Sequence, residues 1–162
     1  MNTFVGGYLC PYGLGSEGML FRDSSKKAWA TSISTSQGIV NTMDLLDSET
    51  DYGAKFLNPA NDEVQQFVLQ IIADLARYDL DGIILDRCRY SDYNLMSDFS
   101  DDSRKKFEQF IGSTVSNYPG DILPAETDVT LPASQPRYCK QWLEFRAKTI
   151  HDFIVKAAEK VH

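Results

Sequence analysis

Histidine and cysteine are scarce in this sequence. Among 162 residues there are two histidines and three cysteines, and the cysteines are widely spaced without a C-x-x-C pair. This composition argues against a zinc site and against a dense disulfide framework. We therefore predict that Cys10, Cys88 and Cys139 are small, partly buried apolar side chains. The sequence implies no cofactor and no metal ion.

Long apolar segments are lacking as well. No stretch approaches the about 20 apolar residues that a membrane-spanning helix needs. Residues 2–7, after Met1, have neither the basic start nor the apolar core of a signal peptide. We therefore predict no membrane span and no secretion signal within this chain. A mature or excised segment would also lack a signal, so this absence does not establish a cytoplasmic location.

Positive charge is in the minority. Lysine and arginine number 16 against 23 aspartates and glutamates, which gives a formal net charge of -7 and a pI of about 4.7. Such a chain repels phosphate groups at long range, which argues against nucleic acids and anionic membranes as partners and leaves neutral ligands open. With 43% hydrophobic residues, the composition is that of a globular protein, and the length fits a single domain over residues 1–162.

Three segments have the periodicity of amphipathic helices. The clearest runs from Asp62 to Arg77, where apolar residues recur at i, i+3, i+4 and i+7. Asn61 is placed to cap this helix. A second helix is predicted to be capped by Ser100 or Ser103 and closed by Gly112. A third, longer amphipathic pattern occupies the C-terminal end of the chain.

Only two strands are predicted. Asn2–Val5 reads as the tail of a strand that Gly6-Gly7 stops, and Gly82-Ile83-Ile84-Leu85-Asp86 is an apolar run typical of a parallel strand covered on both faces. The region from Tyr8 to about Lys55 is predicted to be a long loop. Two parallel strands do not form an independently stable sheet. Either the segment belongs to a larger barrel, or partner chains complete its sheet, or short strands lie within the loops.

Asp86 is the best candidate for a catalytic carboxylate. In α/β barrels the carboxyl ends of the strands face the active site, and Asp86 ends an apolar strand. The neighbouring Arg87 and Arg89 would favour its charged form, which suits a nucleophile or an electrostatic stabiliser better than a proton donor. The residues alone leave open the alternative that Asp86 only ends the strand and pairs with an arginine.

Two motifs carry a resemblance to a known family. The first is Lys55-Phe56-Leu57-Asn58-Pro59-Ala60, and the second is Tyr78-Asp79-Leu80-Asp81-Gly82-Ile83-Ile84-Leu85-Asp86-Arg87-Cys88-Arg89-Tyr90. In these motifs the sequence resembles the glycosyl hydrolase-like 10 family, whose members are barrel proteins similar in layout to the α-amylase clan. The resemblance covers most of the chain. It implies an α/β segment of a (β/α)8 barrel, roughly strands three to four with their helices and long loops.

The resemblance also implies roles for individual residues. Asp86 matches the strand-four aspartate that is the nucleophile in α-amylase-like barrels, while Arg89 and Tyr90 match an Arg-Tyr pair that would orient and contact the sugar. Cys88 and Ser91 depart from the family pattern, in which an aromatic or aliphatic residue and a proline are more usual. These departures allow the loop beyond the strand to differ.

Three further residues are predicted to bind the substrate. Asn58 belongs to the Asn-Pro turn, while Trp29 and Tyr93 are aromatic residues of the loop regions. For Trp29 the residues alone favour the alternative that it pins the loop to the body of the protein. In an alternative interpretation the chain is a non-catalytic carbohydrate-binding barrel module, in which Trp29, Tyr90 and Tyr93 stack on sugar rings. A third possibility is a structural or assembly module.

The second carboxylate of a glycosidase is not identifiable in the chain. Glycoside hydrolysis usually needs two carboxylates, about 5 to 5.5 Å apart in retaining enzymes and about 6.5 to 9.5 Å apart in inverting ones. In the register implied by the resemblance, the acid comes from a fifth strand beyond His162, and Glu17 and Glu126 are better explained as solvated loop charges. We therefore expect a glycoside hydrolase, or a segment of one, that acts on a polysaccharide or glycoconjugate and is inactive as the isolated chain.

The expected partners follow from the same resemblance. The substrate is a carbohydrate, and the location is secreted or at the cell envelope. Apolar helix faces built to cover a barrel would be left partly uncovered in an isolated segment. We therefore expect self-association, or pairing with the missing part of the barrel.

Overall fold

The structure, a computed structural model, describes residues 6–9, 13–15, 23–45, 54–90, 97–123 and 135–161. These residues form a mixed α/β arrangement of short strands and helices. In chain order the elements are β1 (Gly6–Leu9), β2 (Gly13–Gly15), a 3₁₀ helix (Ser24–Trp29), β3 (Ser32–Thr35), β4 (Gly38–Asn41), a 3₁₀ turn (Thr42–Asp44), β5 (Ala54–Phe56), α1 (Asp62–Leu75), β6 (Gly82–Leu85), α2 (Asp101–Ile111) and α3 (Cys139–Val161).

The strand that ends before Asp86 is paired in parallel with the first strand of the chain. β1 and β6 align from Gly6 opposite Gly82 to Leu9 opposite Leu85. The prediction that Gly6-Gly7 stops the first strand is wrong, because both glycines lie inside β1. Their ladder with β6 outweighs the low strand propensity of glycine, which sequence alone cannot reveal. The predicted tail over residues 2–5 lies outside the described residues.

The predicted long loop contains strands of its own. β2 pairs antiparallel with β5, and β3 pairs antiparallel with β4 in a hairpin. Gly38, which opens β4, has φ 113, a conformation that residues with a Cβ rarely adopt. The alternative that short strands lie within the loops is therefore confirmed. These strands are only three or four residues long and rich in Ser, Thr and Gly, so no sustained alternating apolar pattern reveals them in the sequence.

The first two predicted helices are confirmed, although α1 ends at Leu75 and not at the predicted Arg77. In α1 the Asn61 side chain accepts a hydrogen bond from the Val64 backbone N–H at 3.0 Å. In α2 the N-cap is Ser100 rather than Ser103, and the helix closes at Gly112, which has φ 64. Local cap chemistry therefore sets both boundaries of α2.

One core cluster lies between the first helix, the last helix and β6. Its buried members are Trp29, Phe56, Leu57, Val64, Val68, Ile72, Phe153 and Ala157. Ile83 and Leu85 of β6 pack against this cluster. Ile84, between them, is 52% exposed. Within the described residues β6 is therefore covered on one face, whereas the sequence predicted cover on both.

A second core cluster joins α2 to the first half of α3. Its buried members are Ala60, Phe99, Phe107, Val115, Ile122, Tyr138, Trp142 and Phe145. The Phe99 and Trp142 rings stack with their centroids 5.2 Å apart, and Phe107 meets the Trp142 ring edge-on at 4.9 Å. Since α3 contributes to both clusters, it links α1 and α2. The single domain over residues 1–162 stays a prediction.

Apolar side chains also remain on the outside of α3. Leu143, Ile154 and Val161 lie on one side of the helix and are exposed. No helix in the described part of the chain is both long enough and apolar enough to cross a bilayer.

Candidate functional site

Asp86 lies at the carboxyl edge of the parallel β1–β6 pair. It follows β6 directly and is half-buried. Side chains alternate between the two faces of a strand. Ile83 and Leu85 face the helices, and the exposed Ile84 between them lies on the other face of β6. The candidate carboxylate therefore directly follows a strand with one face that the described helices leave open.

A sharp turn follows Asp86. Arg87 has φ 51, a left-handed conformation that is uncommon for a residue other than glycine. The Arg89 backbone N–H donates to the Arg87 carbonyl at 2.8 Å, and both arginine side chains are exposed. Asp86 and Arg89 each have an interaction partner. The turn thus places one carboxylate and two guanidinium groups within four residues at the end of the strand.

Cys88 points into the protein rather than into the site. Its side chain packs against the first core cluster. Desolvation by burial raises the pKa of the Cys88 thiol to about 11, so the thiol stays protonated at neutral pH. Cys139 is buried at the start of α3. The prediction of small, partly buried apolar side chains is confirmed for Cys88, while Cys139 is more deeply buried than predicted. Cys10 lies outside the described residues.

Tyr90 ends the turn as a buried anchor. It is 7% exposed, and the Arg146 guanidinium of α3 lies over its ring at 4.3 Å from the centroid. Burial raises the pKa of Tyr90 and lowers the pKa of Arg146. The Arg146 Nε is buried and has no hydrogen-bond partner within the described residues. The tyrosine ring is thus one described contact of this guanidinium.

A buried aspartate that the sequence analysis missed lies behind the site. Asp98 is fully buried and accepts hydrogen bonds from the Ser32 backbone N–H at 2.6 Å and from the Ser100 and Ser103 hydroxyls at 2.5 Å. Desolvation raises the pKa of Asp98, while these hydrogen bonds oppose the increase. An aspartate two residues before a serine N-cap was the sequence signal for this arrangement.

Two residues that were predicted to contact the sugar are buried in the core. Asn58 is buried, with its Nδ2 donating to the Ser100 hydroxyl and its Oδ1 accepting from the Ala60 backbone N–H, both at 2.8 Å. Trp29 is 7% exposed and donates from its indole N–H to Glu63 at 2.8 Å. In this conformation both side chains support the fold, and their contact with a sugar stays a prediction. Tyr93 lies outside the described residues.

A cleft of about 540 Å³ lies between the β3–β4 hairpin and the start of α2. Its lining includes Asn41, Asp101, Asp102, Arg104 and Tyr118. Asp102 accepts a hydrogen bond from Asn61, so this wall of the cleft is tied to the start of α1. Among the described residues no group of three His, Cys, Asp or Glu side chains is arranged to hold a metal ion.

Comparison with known proteins identifies the family. The S-layer-related protein of Niallia circulans is 40% identical over 113 residues, which are 67% of this chain and 7% of the relative. The chain thus spans less than a tenth of that relative's length. No solved structure matches the chain. The sequence profile of the glycosyl hydrolase-like 10 family matches residues 25–162, including the strand that ends before Asp86, and the chain therefore belongs to that family.

Proposed function

We propose that this chain is part of a glycoside hydrolase barrel and carries its nucleophile or stabilising carboxylate, Asp86. Membership of the glycosyl hydrolase-like 10 family indicates a carbohydrate-related role. The observation that carries the proposal is the position of Asp86, directly after a strand at the carboxyl edge of a parallel strand pair. In barrel enzymes this edge carries the catalytic groups.

The open face of β6 supports a barrel. Parallel strands are normally covered on both faces. The helices cover Ile83 and Leu85, but Ile84 on the other face of the strand is 52% exposed. Further strands, with Ile84 in the barrel interior, would supply that cover. We assign β1 and β6 to the third and fourth strands of such a barrel.

The proposed chemistry divides the reaction between this chain and another segment. Asp86 would attack or stabilise the oxocarbenium-like centre of the sugar, with the exposed Arg89 contacting sugar hydroxyls. Tyr90, which is buried, would hold the turn rather than stack on the sugar. The acid that protonates the leaving group would come from outside the chain. The isolated chain would therefore bind weakly and hydrolyse nothing.

The test is the substitution Asp86→Asn in the full-length protein. Loss of a catalytic carboxylate is expected to lower kcat on a cleavable polysaccharide by at least about a thousandfold. Asp81→Asn is the matched control, because Asp81 is exposed just before the same strand. Circular dichroism and thermal melting would show that both variants remain folded. Undiminished turnover by Asp86→Asn would refute the assignment.

A non-catalytic carbohydrate-binding module is the second candidate. The relative named as an S-layer-related protein favours it, since that name suggests a cell-envelope association rather than hydrolysis. Trp29 and Tyr90, at 7% exposure each, would not serve as stacking surfaces in the described conformation. Binding on a glycan array without release of reducing ends by the intact protein would favour this function over hydrolysis. In either case we propose a secreted or cell-envelope location.

A further inference from the structure

We propose that Arg146 of α3 is a positioning residue for the candidate site, which it holds in place through Tyr90. That the positioned turn carries a catalytic group rests on the proposed function of Asp86. That Arg146 holds this turn rests on contacts between described residues. Nothing in the family match assigns a role to Arg146, which lies 60 residues after Asp86 in the sequence.

The turn after β6 is held at both of its ends. At its start, Ile83 and Leu85 pack against the first core cluster. At its end, Tyr90 is buried, whereas Arg87 and Arg89 between them are exposed. Between the two arginines, Cys88 packs against the first core cluster. The buried ring of Tyr90 is therefore the anchor at the far end of the turn, in addition to Cys88 in its middle.

Arg146 is the described group that lies on this ring. Its guanidinium is 4.3 Å from the Tyr90 centroid, and Arg146 is only 8% exposed. A cation over an aromatic face interacts more strongly when both are removed from water. The Nε of Arg146 has no hydrogen bond within the described residues. The stack with Tyr90 is thus one described contact of this buried cation.

The other arginine–tyrosine stacks in the described part of the chain differ from this one. Arg104 lies 5.0 Å from the Tyr118 ring but also bonds Glu108 and the Val115 carbonyl. Arg137 lies 4.9 Å from the Tyr138 ring and is exposed. Neither pair adjoins the end of β6. The exposed Arg137 therefore offers a matched control for removal of the guanidinium at Arg146.

A buried carboxylate acts on the same pair. Asp98 acts electrostatically on both Tyr90 and Arg146. The hydrogen bonds of Asp98 come from neutral donors, namely the Ser32 and Ser100 backbone N–H groups and two serine hydroxyls. Asp98 opposes the lowering of the Arg146 pKa by burial, so it favours the charged form of the guanidinium beside the ring.

The experiment compares Arg146→Met with Arg137→Met in the full-length protein. Methionine keeps much of the side-chain length and removes the charge in both variants. Amide hydrogen exchange of the peptide over 82–90 is expected to be at least about fivefold faster in Arg146→Met, because the turn loses the anchor at its far end. Exchange over α2 should not change. Arg137→Met should leave both regions as in the wild type.

Kinetics then link the turn to the proposed reaction. With a cleavable polysaccharide, Arg146→Met is expected to lower kcat by tens of times or more, since a displacement of about 1 Å can cost about a hundredfold. Arg146→Lys, which keeps a cation near the ring, should recover most of this loss. The double variant Arg146→Met with Tyr90→Leu should be no slower than the slower single variant, because both changes remove the same contact.

The outcomes separate the two proposals. Suppose that the wild type cleaves no polysaccharide, while amide exchange over 82–90 is faster in Arg146→Met. This result would support the positioning role of Arg146 and reject the hydrolase function. Unchanged exchange over 82–90 in Arg146→Met, or additive kinetic losses in the double variant, would overturn the positioning. Tyr90→Leu removes the stack from the other side and must reproduce the exchange pattern, so the inference stays testable even if Arg146→Met does not fold.

Discussion

The Asn58 side chain joins the starts of α1 and α2 through Ser100. Asn58 Nδ2 donates to the Ser100 hydroxyl at 2.8 Å, and that hydroxyl donates in turn to Asp98 at 2.5 Å. The same hydroxyl accepts the Ser103 backbone N–H as the N-cap of α2. One serine oxygen therefore serves a helix cap, an inter-element hydrogen bond and a buried carboxylate.

Loss of this oxygen should cost more than loss of an ordinary cap. Ser100→Ala removes the cap and leaves Asn58 Nδ2 and Asp98 without one partner each. We expect a loss of about 2 to 3 kcal/mol of unfolding free energy, against about 1 for a typical cap. Urea denaturation measures the change. Ser113→Ala, at an exposed serine after the helix, is the control and should change stability little; equal losses for the two would contradict the role given to Ser100.

Asp98 should make stability depend on pH in a direction unusual for a carboxylate. Burial raises the pKa of Asp98 above the ordinary aspartate value of 3.8. The folded state therefore holds the Asp98 proton more tightly than the unfolded state. The stability that this proton contributes is fully present below pH 3.8 and is lost as the pH rises through the pKa of the folded state. Asp98→Asn removes this titration.

The prediction is measured as a difference between two proteins. The stability of the wild type minus that of Asp98→Asn, from urea denaturation, should be largest near pH 4 and should decrease toward neutral pH. Titration of the other carboxylates is common to both proteins and cancels in the difference. A difference that grows as the pH rises would contradict the raised pKa.

The Cys88 thiol should be unreactive in the native protein. A pKa of about 11 leaves about one thiolate in a thousand at pH 8. In a variant that keeps only this cysteine, with Cys10→Ser and Cys139→Ser, alkylation by iodoacetamide should be about a hundredfold slower than after unfolding in urea. Mass spectrometry gives both rates. Similar rates in the two states would show that the thiol is not desolvated.

The end of α2 should tolerate only residues that accept a left-handed backbone. Gly112 has φ 64, and a Cβ built on it would meet no atom within 4 Å. Gly112→Ala should therefore lose about 1 kcal/mol through the backbone alone. Gly112→Asn should lose less, because asparagine adopts this conformation more readily. Thermal melting of both variants ranks them, and a more damaging asparagine would argue for a steric cause instead.

The helices were predictable because their signals are local. The apolar periodicity of α1 and the Asn61 cap lie within one segment of sequence, and so do Ser100 and Gly112 at the ends of α2. The β3–β4 hairpin was not predictable by the same means. Its residues are largely polar, and its pairing depends on a turn and on neighbours outside the segment.

The candidate site was likewise predictable only where its sequence signals are local. Asp86 was identified from the apolar strand before it, since a strand end is a local feature. The burial of Asn58 and Asp98 was not foreseen, because burial depends on which distant elements pack over a residue. For Trp29, the aromatic side chain in a polar loop did favour packing against the body of the protein. The contact between Tyr90 and Arg146 joins positions 56 residues apart and leaves no periodic trace in the sequence.

The long final helix also limits how the molecule can be divided. Trp142 belongs to one core cluster and Phe153 to the other, on a single unbroken helix. An engineered break, an inserted affinity tag or a proteolytic nick between these two residues would strip one wall from each cluster at once. Any circular permutation or split-protein reporter built on this chain should therefore place its new ends away from the last helix.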